Sequence, residues 1–385
     1  MTSNNKDNIM SEILELVVED GFDGIGDAVK LLVNLAMEVE RDNYVGVAHY
    51  ERSNHRRSYR NGYKSKRVKT RLGELEFNVP HVRDGEFYPK SLEKGLRSER
   101  ALKLALAEMY VCGVSTRKVA AITEELCGFE VSSTQVSRAA AELDELLEKW
   151  RNRPLGSYRY LYLDARYEKV REGGQVLDCA VLIAVGVRDD GKREVLGVSV
   201  ELSESEIHWR NFLKHLVSRG LHGVSLIISD AHEGLKGALR AVFPSIPWQR
   251  CQFHLQQNAQ SYIPNQAMKK EVASRIRAIF NAPSRQEAGR LLDQLIRNYT
   301  KSAPRLATWA EENLPEGFTV FEFPEEHRRR IRTSNVVERL SREINRRTRV
   351  VGIFPNSASC LRLVTAILME ISEEWEQGRI YLRVT

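Results

Sequence analysis

Between Tyr158 and Cys251, short apolar runs alternate with turn signals and amphipathic stretches, and no other feature of the chain restricts the fold as strongly. Tyr158 to Leu163 reads as a strand that ends at Asp164. Val176 to Val187 reads as a second strand, Asp189-Asp190-Gly191 as a hairpin turn, and Val195 to Leu202 as a third strand. Ile207 to Arg219 has helical spacing and is closed by Gly220. Val224 to Ser229 then reads as a buried strand ending at Asp230, Glu233 to Val242 as a helix, and Pro247 to Cys251 as a short fifth strand. Three strands in antiparallel order, followed by strand-helix-strand with parallel character, make a mixed sheet with helices on its faces. The fold class expected is multidomain α/β with α-helical parts.

The flanks have a different texture. Residues 9–42 read as helical with a break at Gly21 to Gly26, and Leu75, Phe77 and Val79 alternate with polar residues as in a small β element flanked by mobile basic loops. Residues 99–150 read as three helices. The last of them opens at Ser132, whose spacing to Gln135 matches a capping box, and runs on to Trp150. Two short helices around a tight turn, with polar Ser133, Thr134, Gln135 and Arg138 in the first turn of the second, form the pattern of a helix-turn-helix that reads DNA. An ordinary helical bundle is the plainer alternative. Leu255 to about Pro324 is helical again and interrupts the α/β texture. The domains expected are therefore 1–98, a helical and basic β region for dimerisation and DNA binding; 99–152, the helix-turn-helix-like part; 153–256 and 327–385, two parts of one catalytic core; and 257–326, an all-α segment between them.

Composition narrows the partner. Hydrophobic residues are 42% and charged residues 29% of the 385, a soluble globular balance, and the net charge of +6 favours an anionic partner only mildly. The distribution carries more. Between Glu51 and Arg71 stand nine basic residues, among them Arg56, Arg57, Arg60, Lys64, Lys66 and Arg67, and between Arg328 and Arg349 another nine, among them Arg346, Arg347 and Arg349. Two such blocks suit a DNA phosphate backbone; a solvated charged surface is the alternative. Five cysteines without framework spacing fit a reducing compartment, the start lacks a signal-peptide core, and the longest apolar run is about half a membrane span. The expectation is a cytoplasmic protein with no membrane partner.

Asp164 and Asp230 each follow an apolar strand, so on neighbouring strands both carboxylates would emerge at one end of the sheet, where ligands of such folds bind. Two convergent acids repel unless a cation lies between them, and hard oxygen donors select Mg²⁺ or Mn²⁺. Glu338, at the start of a helix with Ser334 or Asn335 as cap, is the candidate third donor, with Arg339 and Arg342 beside it for DNA phosphates. A Glu338–Arg342 surface ion pair explains the same spacing. His232 sits next to Asp230, and Cys251 and His254 form a Cys-x-x-His pair. Two such residues without a second pair fall short of a four-ligand zinc site, so a structural role beneath the site or a DNA contact is expected of them.

The chain resembles the bacterial insertion-sequence transposases related to the plant Mutator element, a branch of the DDE transposases with an RNase H-like core. The resemblance rests on Tyr59-Arg60-Asn61-Gly62-Tyr63, Gly85-Glu86-Phe87-Tyr88-Pro89, Ser229-Asp230-Ala231-His232-Glu233-Gly234-Leu235, Trp248-Gln249-Arg250-Cys251-Gln252-Phe253-His254 and Arg332-Thr333-Ser334-Asn335-Val336-Val337-Glu338-Arg339-Leu340. Its most specific stretch is Arg346-Arg347-Thr348-Arg349-Val350-Val351-Gly352-Ile353-Phe354-Pro355-Asn356. The one departure is Ala231, where the family often has Gly. The resemblance implies an RNase H-like mixed sheet interrupted by an all-α insertion. It also implies a catalytic, metal-binding triad of Asp164, Asp230 and Glu338 with two Mg²⁺ or Mn²⁺ ions, and a homodimer that pairs terminal inverted repeats and joins them to target DNA. The insertion accounts for 108 residues between Asp230 and Glu338, against 66 between the aspartates. Trp309 within it is a candidate base contact, with a core role as the alternative. A helix-turn-helix regulator with an inactive core, and a structure-specific nuclease that cuts without joining, are the rival functions.

Overall fold

The computed structural model describes residues 11–16, 18–21, 23–47, 51, 53, 55–83, 87–92, 98, 100–111, 114, 116–378 and 380–382. The chain forms two compact units, Met1–Leu143 and Asp144–Thr385.

In the first unit, helix α1 (Ile25–Val45) packs on a hairpin of β1 (Arg60–Thr70) and β2 (Gly73–Val82) around Met37, Val68, Leu75, Phe77, Val79 and Leu92. The basic block therefore lies on a strand for most of its length, where loops were expected. Val68 is the one buried side chain of β1, so no apolar alternation marked it; pairing with β2 makes it a strand. Gly62, at φ +69° where the register slips between Arg60 and Tyr63, supplies the backbone turn of the Tyr-Arg-Asn-Gly-Tyr motif. Gly85 and Glu86 of the second motif lie outside the described residues.

Three helices follow, α2 (Arg100–Val111), α3 (Thr116–Cys127) and α4 (Ser133–Ala141), around Leu102, Leu106, Val119, Val131 and Val136. The capping box forms: Ser132 Oγ accepts from Gln135 N at 3.2 Å and Gln135 Oε1 from Ser132 N at 2.9 Å. The single helix expected to reach Trp150 is broken. The chain turns at Glu142 and Leu143, and α5 (Asp144–Arg151) belongs to the second unit, where Arg362 grips Asp144 at 2.6 and 2.7 Å.

The second unit holds one five-stranded sheet, β3 (Tyr160–Glu172), β4 (Gln175–Val187), β5 (Arg193–Glu201), β6 (Leu226–Ser229) and β7 (Trp248–Arg250), in the order β5-β4-β3-β6-β7. β3, β4 and β5 are mutually antiparallel, and β6 and β7 run parallel to β3. Helices α6 (Glu206–Ser218) and α7 (Glu233–Val242) pack on one face, against Leu161, Leu163, Leu182 and Leu196. Helices α12 (Glu325–Ile331), α13 (Asn335–Thr348) and α14 (Ser357–Gln377) lie toward the other, which bears Tyr160 and Tyr162. With both faces covered, the central strands are apolar almost throughout, which is what made them legible.

Between β7 and α12 the described residues form only helices and turns: α8 (Gln252–Ala259), α9 (Lys269–Phe280), α10 (Arg285–Tyr299), α11 (Pro304–Asn313) and short 3₁₀ turns. They share a core of their own that includes Val272, Ile276, Leu292, Leu306 and Trp309. Gln249, Arg250 and Gln252 tie this core to the sheet edge. Gln249 Oε1 accepts from Val320 N at 2.7 Å, Arg250 Nη1 reaches Asn313 and Glu316 at 2.9 and 2.8 Å, and Gln252 Nε2 reaches Gly317 O at 2.9 Å.

Candidate active site

Strand β3 does not end at Asp164 as its sequence suggested; it runs eight residues further, to Glu172. The residues beyond Asp164 lack apolar alternation, and pairing with β4 carries them as far as Glu172 with Gln175. Strand β6, in contrast, stops at Ser229. Its parallel pairing with β3 runs from Tyr160 with Leu226 to Tyr162 with Ile228. Continued by two residues, that register sets Asp164 level with Asp230. The acids thus meet in the notch where β6 gives out beside a strand that continues.

The tail of β3 is the platform for the third acid. Arg166, two residues beyond Asp164 and on the same face, donates to the Ser341 carbonyl of α13 and pairs with Glu168 at 2.6 Å. Glu168 in turn accepts from Thr348 Oγ1 at 3.0 Å. The chain after α13 is stitched to the same tail: Phe354 N donates to Lys169 O and Arg171 N to Phe354 O, both at 2.8 Å. Phe354 is buried and Gly352 turns the chain at φ +72°, so the most specific motif is in structural terms the splice that fixes α13 to β3.

Glu338 lies in the first turn of α13, facing His254, whose Nε2 is 3.9 Å from Glu338 Oε1. Cys251, His254 and Glu338 bring donor atoms within 4.8 Å of one another. The Cys251 sulfur also accepts from Ser334 N at 3.3 Å, and Gln252 N donates to Arg332 O at 3.0 Å. Cys251 therefore ties the end of β7 to the start of α13. Ser334 holds the N-cap position, but its buried hydroxyl makes no capping bond. No Glu338–Arg342 pair forms among the described residues; Arg342 is exposed.

The electrostatics are those of crowded acids. Burial, then the charge of Asp230 and, more weakly, of Glu338 push Asp164 up to about 7, against the pull of His254. Contact with the Cys251 sulfur and the charges of Asp230 and Asp164 hold His254 up to about 9, against its burial. Burial raises the Cys251 thiol, but His254 and Ser334 outweigh it and the net shift is downward. Glu338 Oε1 is buried without a hydrogen-bond partner. Asp164, held up to about 7 by burial and the charge of Asp230, and Glu338, with its orphaned oxygen, are hard donors of the kind that fit a divalent cation such as Mg²⁺ or Mn²⁺.

Sequence reasoning missed a fourth acid. Glu204 lies 3.5 Å from His232 Nδ1, accepts from Trp209 Nε1 and Tyr167 Oη at 3.2 Å each, and is raised by burial despite the pull of His232. It sits in Ser203-Glu204-Ser205-Glu206, a polar stretch that looks like any solvated loop. Arg166 was missed for the same reason.

The other expected site residues scatter. Asn335, Arg339, Arg342, Arg346 and Arg349 are exposed on α13 or just after it. Arg347 is buried and bonded to Glu370, with Nη2–Oε1 at 2.8 Å, so it is a structural cation rather than a surface one. Trp309 is 7% exposed in the helical core, and the ring that reaches the surface is Tyr262, stacked on it at 5.3 Å. In the first unit, Ser133, Thr134 and Arg138 are exposed on α4, while the Gln135 carbonyl is used by the cap. Lys64 and Arg67 are exposed on β1, Arg56 stacks on Tyr59 at 5.1 Å, and Arg60 pairs with Asp42 at 2.9 Å; Arg57 is exposed.

Fold and site together define a mixed α/β protein with Asp164 inside one strand, Asp230 just past the end of its neighbour, and a helix-borne glutamate whose charge reaches Asp164. Comparison with known proteins is specific. The profile of the Mutator family of transposases matches residues 1–378, and the chain belongs to that family. It is 58% identical over 368 residues to the transposase for insertion sequence element IS406 of Burkholderia multivorans, covering 95% of each chain. It is 42% identical to the transposase for ISRM5 of Rhizobium meliloti, covering 94% of this chain and 91% of that one. It is 39% identical to the transposase for IS256 in transposon Tn4001 of Staphylococcus aureus, covering 96% and 95%. The resemblance carried by the motifs is thus borne out at the level of the family. Among the described residues, no helix is long and apolar enough to cross a membrane.

Proposed function

We propose that the protein binds the terminal inverted repeats of an insertion sequence and catalyses metal-dependent DNA cleavage and strand transfer, with Asp164, Asp230 and Glu338 as metal ligands. The observation that carries this reading is the crowding at Asp164, pushed up to about 7 by burial and the charge of Asp230 with a weaker push from Glu338, together with a Glu338 Oε1 that is buried and unpartnered. The sheet order β5-β4-β3-β6-β7 supports reading the core as RNase H-like, and the helices between β7 and α12, with their own core, support reading them as an insertion. Bound Mg²⁺ or Mn²⁺, two per site, supplies Lewis acidity toward the phosphate and a more acidic attacking hydroxyl.

The chain's own residues do the rest. Asp164 and Asp230 fix the donor oxygens on a rigid sheet, and α13 brings Glu338 to them. His232, held by Glu204, and the exposed Arg342 present cationic or donor groups to phosphates beside the carboxylates. In the first step, a water oxygen attacks phosphorus and the P–O3′ bond breaks, leaving a 3′-hydroxyl on the element's end. In the second, that 3′-oxygen attacks a phosphorus of target DNA and displaces its 3′-oxygen, the hydroxyl proton passing to solvent. No bond to protein forms. The exposed face of α4 and the basic strand β1 supply sequence reading and backbone contact in the first unit, and a homodimer brings two ends together.

The test is Mg²⁺-dependent nicking and joining of labelled end DNA by the purified chain. The wild type cuts and joins, and each single alanine variant of the triad still binds ends but does neither. Binding of ends without cutting by the wild type makes the chain a DNA-binding regulator with an inactive core; cutting of any DNA without joining makes it a nuclease.

A further inference from the structure

On the same side of the sheet as α13, a cavity of about 420 Å³ lies at the edge strand β5, lined by Arg193, Arg339, Glu374 and Trp375 among others. The Arg193 guanidinium stands 4.1 Å from the Trp375 ring centroid and 4.8 Å from that of Tyr381, and Arg330 stacks on the same Tyr381 ring at 4.9 Å. Three cations from β5, α12 and α13 are thus gathered together. Among the described residues, none of the three has a carboxylate within 4.0 Å. The neighbouring acids Glu343 and Glu370 are occupied by Arg346 and Arg347. Glu374 is the remaining acid on the wall, against Arg193 and Arg339. Burial, and then the charges of Arg339 and Arg330 against the opposing pull of Tyr381, hold Arg193 below the usual arginine range.

Such a gathering is costly unless an anion completes it. Stacking on Trp375 and Tyr381 fixes the guanidinium plane and leaves its edge free for two parallel hydrogen bonds to phosphate oxygens. Gly191 makes the arrangement reachable. At φ +78° its carbonyl accepts from Tyr381 N at 3.0 Å and Leu382 N at 3.1 Å, and a Cβ there would lie 1.7 Å from Leu382 O. The chain end that carries Tyr381 can dock only because this residue is glycine.

The register gives the distance to the carboxylates. Arg193 pairs with Val187 and Val187 with Tyr160, four residues before Asp164 on the same strand. Two strand spacings and four residue rises amount to roughly 16 Å along the sheet. Successive phosphates of one strand lie about 7 Å apart through space, twice the ~3.4 Å axial rise, so that is roughly two to three nucleotides. We propose that the cavity formed by Arg193 and Arg339 beside Trp375, with Arg330 stacked on the neighbouring Tyr381, is a docking site for one backbone phosphodiester of the DNA, roughly two to three nucleotides from the bond cut at the carboxylates. The proposal rests on the strand-cleavage reading above.

The experiment scans end DNA with single neutral methylphosphonates, measuring binding by the full chain, and repeats the scan with Arg193→Gln and with Arg339→Gln. The second variant changes an exposed helix residue, so it stays informative if the first does not fold. With the wild type, one position roughly two to three nucleotides from the cleavage site should lose about tenfold in affinity. Both variants should bind unmodified DNA more weakly, lose that sensitivity, and show a salt slope shallower by about 0.9 per contact removed. A wild type that cuts ends normally, with variants that keep its slope and its methylphosphonate profile, overturns the docking site and leaves the cleavage reading intact. A wild type that neither cuts nor joins ends removes the cleavage reading itself.

Discussion

The two sheet acids and the helix acid carry the same charge to the same place but are held there by different means. Asp164 and Asp230 are placed by backbone pairing, Asp164 within a thirteen-residue strand and Asp230 one residue past a four-residue strand paired on both sides. Glu338 is placed by side chains: Arg166 on the Ser341 carbonyl, Glu168 on Thr348, the Cys251 sulfur under Ser334 N, and Arg347 on Glu370 of α14. A backbone ladder tolerates most substitutions along it, whereas a set of long-range polar contacts is only as good as each member. The third carboxylate is therefore the adjustable part of the site, and the changes that separate binding from chemistry belong to its supports.

The largest effect is also where the comparison must collapse. Asp164→Ala, Asp230→Ala and Glu338→Ala should each lower end cleavage by ~10³-fold or more while end binding persists, since all three are asked to hold the same cations. A Glu338→Ala protein with wild-type strand transfer would break the triad and leave α13 as a structural helix. Next come the supports. Arg347→Ala removes the buried partner of a half-exposed pair and should cost about 1–2 kcal/mol in denaturant unfolding. Arg349→Ala, on an exposed side chain two residues away, should change stability by less than about 0.5 kcal/mol. Equal losses would mean that the Glu370 contact does not anchor α13.

The sheet acids make the opposite prediction for stability. The folded value of Asp164 lies above its ordinary 3.8, so the folded state binds the extra proton. Stability is then lost as pH rises from about 4 through about 7. Metal-free Asp164→Asn should be more stable than wild type at pH 8 by on the order of 2–4 kcal/mol, and the gain should shrink toward pH 4. His254, held up to about 9, adds stability that is full below about 6.5 and disappears as pH rises through 9. Thermal melts of the metal-free protein should therefore fall from pH 4 to pH 9, and added Mg²⁺ should restore the alkaline side. A melt curve flat across that range would contradict the crowding of the acids. The smallest effect is Cys251→Ala, about 1–2 kcal/mol, with strand transfer reduced more than end binding because only the start of α13 is loosened.

This division also explains what could be read from the residues alone. Asp164 and Asp230 were legible because each follows a run of apolar strand residues buried on both sides, a pattern that needs no partner to recognise. The tail of β3 was not, since Ala165-Arg166-Tyr167-Glu168-Lys169 shows no alternation and owes its strand geometry to β4 on one edge and to the chain after α13. Strand β1 was hidden by the same lack of apolar residues. Glu338 had only a surface-like spacing with Arg342 until the motif around it pointed to the family. Glu204 had no signal, because a carboxylate in a polar loop becomes informative only when folding puts it beside His232. The expectation that Arg347 faces DNA failed for a related reason: a run of arginines does not say which one turns inward to Glu370.

The central claim is that three acids form one cation site, and Mn²⁺ binding to the full chain, followed by calorimetry at about pH 6.5, tests it most directly. The wild type should bind Mn²⁺ with release of protons near pH 7, as Asp164 gives up its own, and Glu338→Gln and Asp230→Asn should each lose most of that binding while melting as folded proteins. Undiminished Mn²⁺ binding by both variants, or none by the wild type, would contradict it.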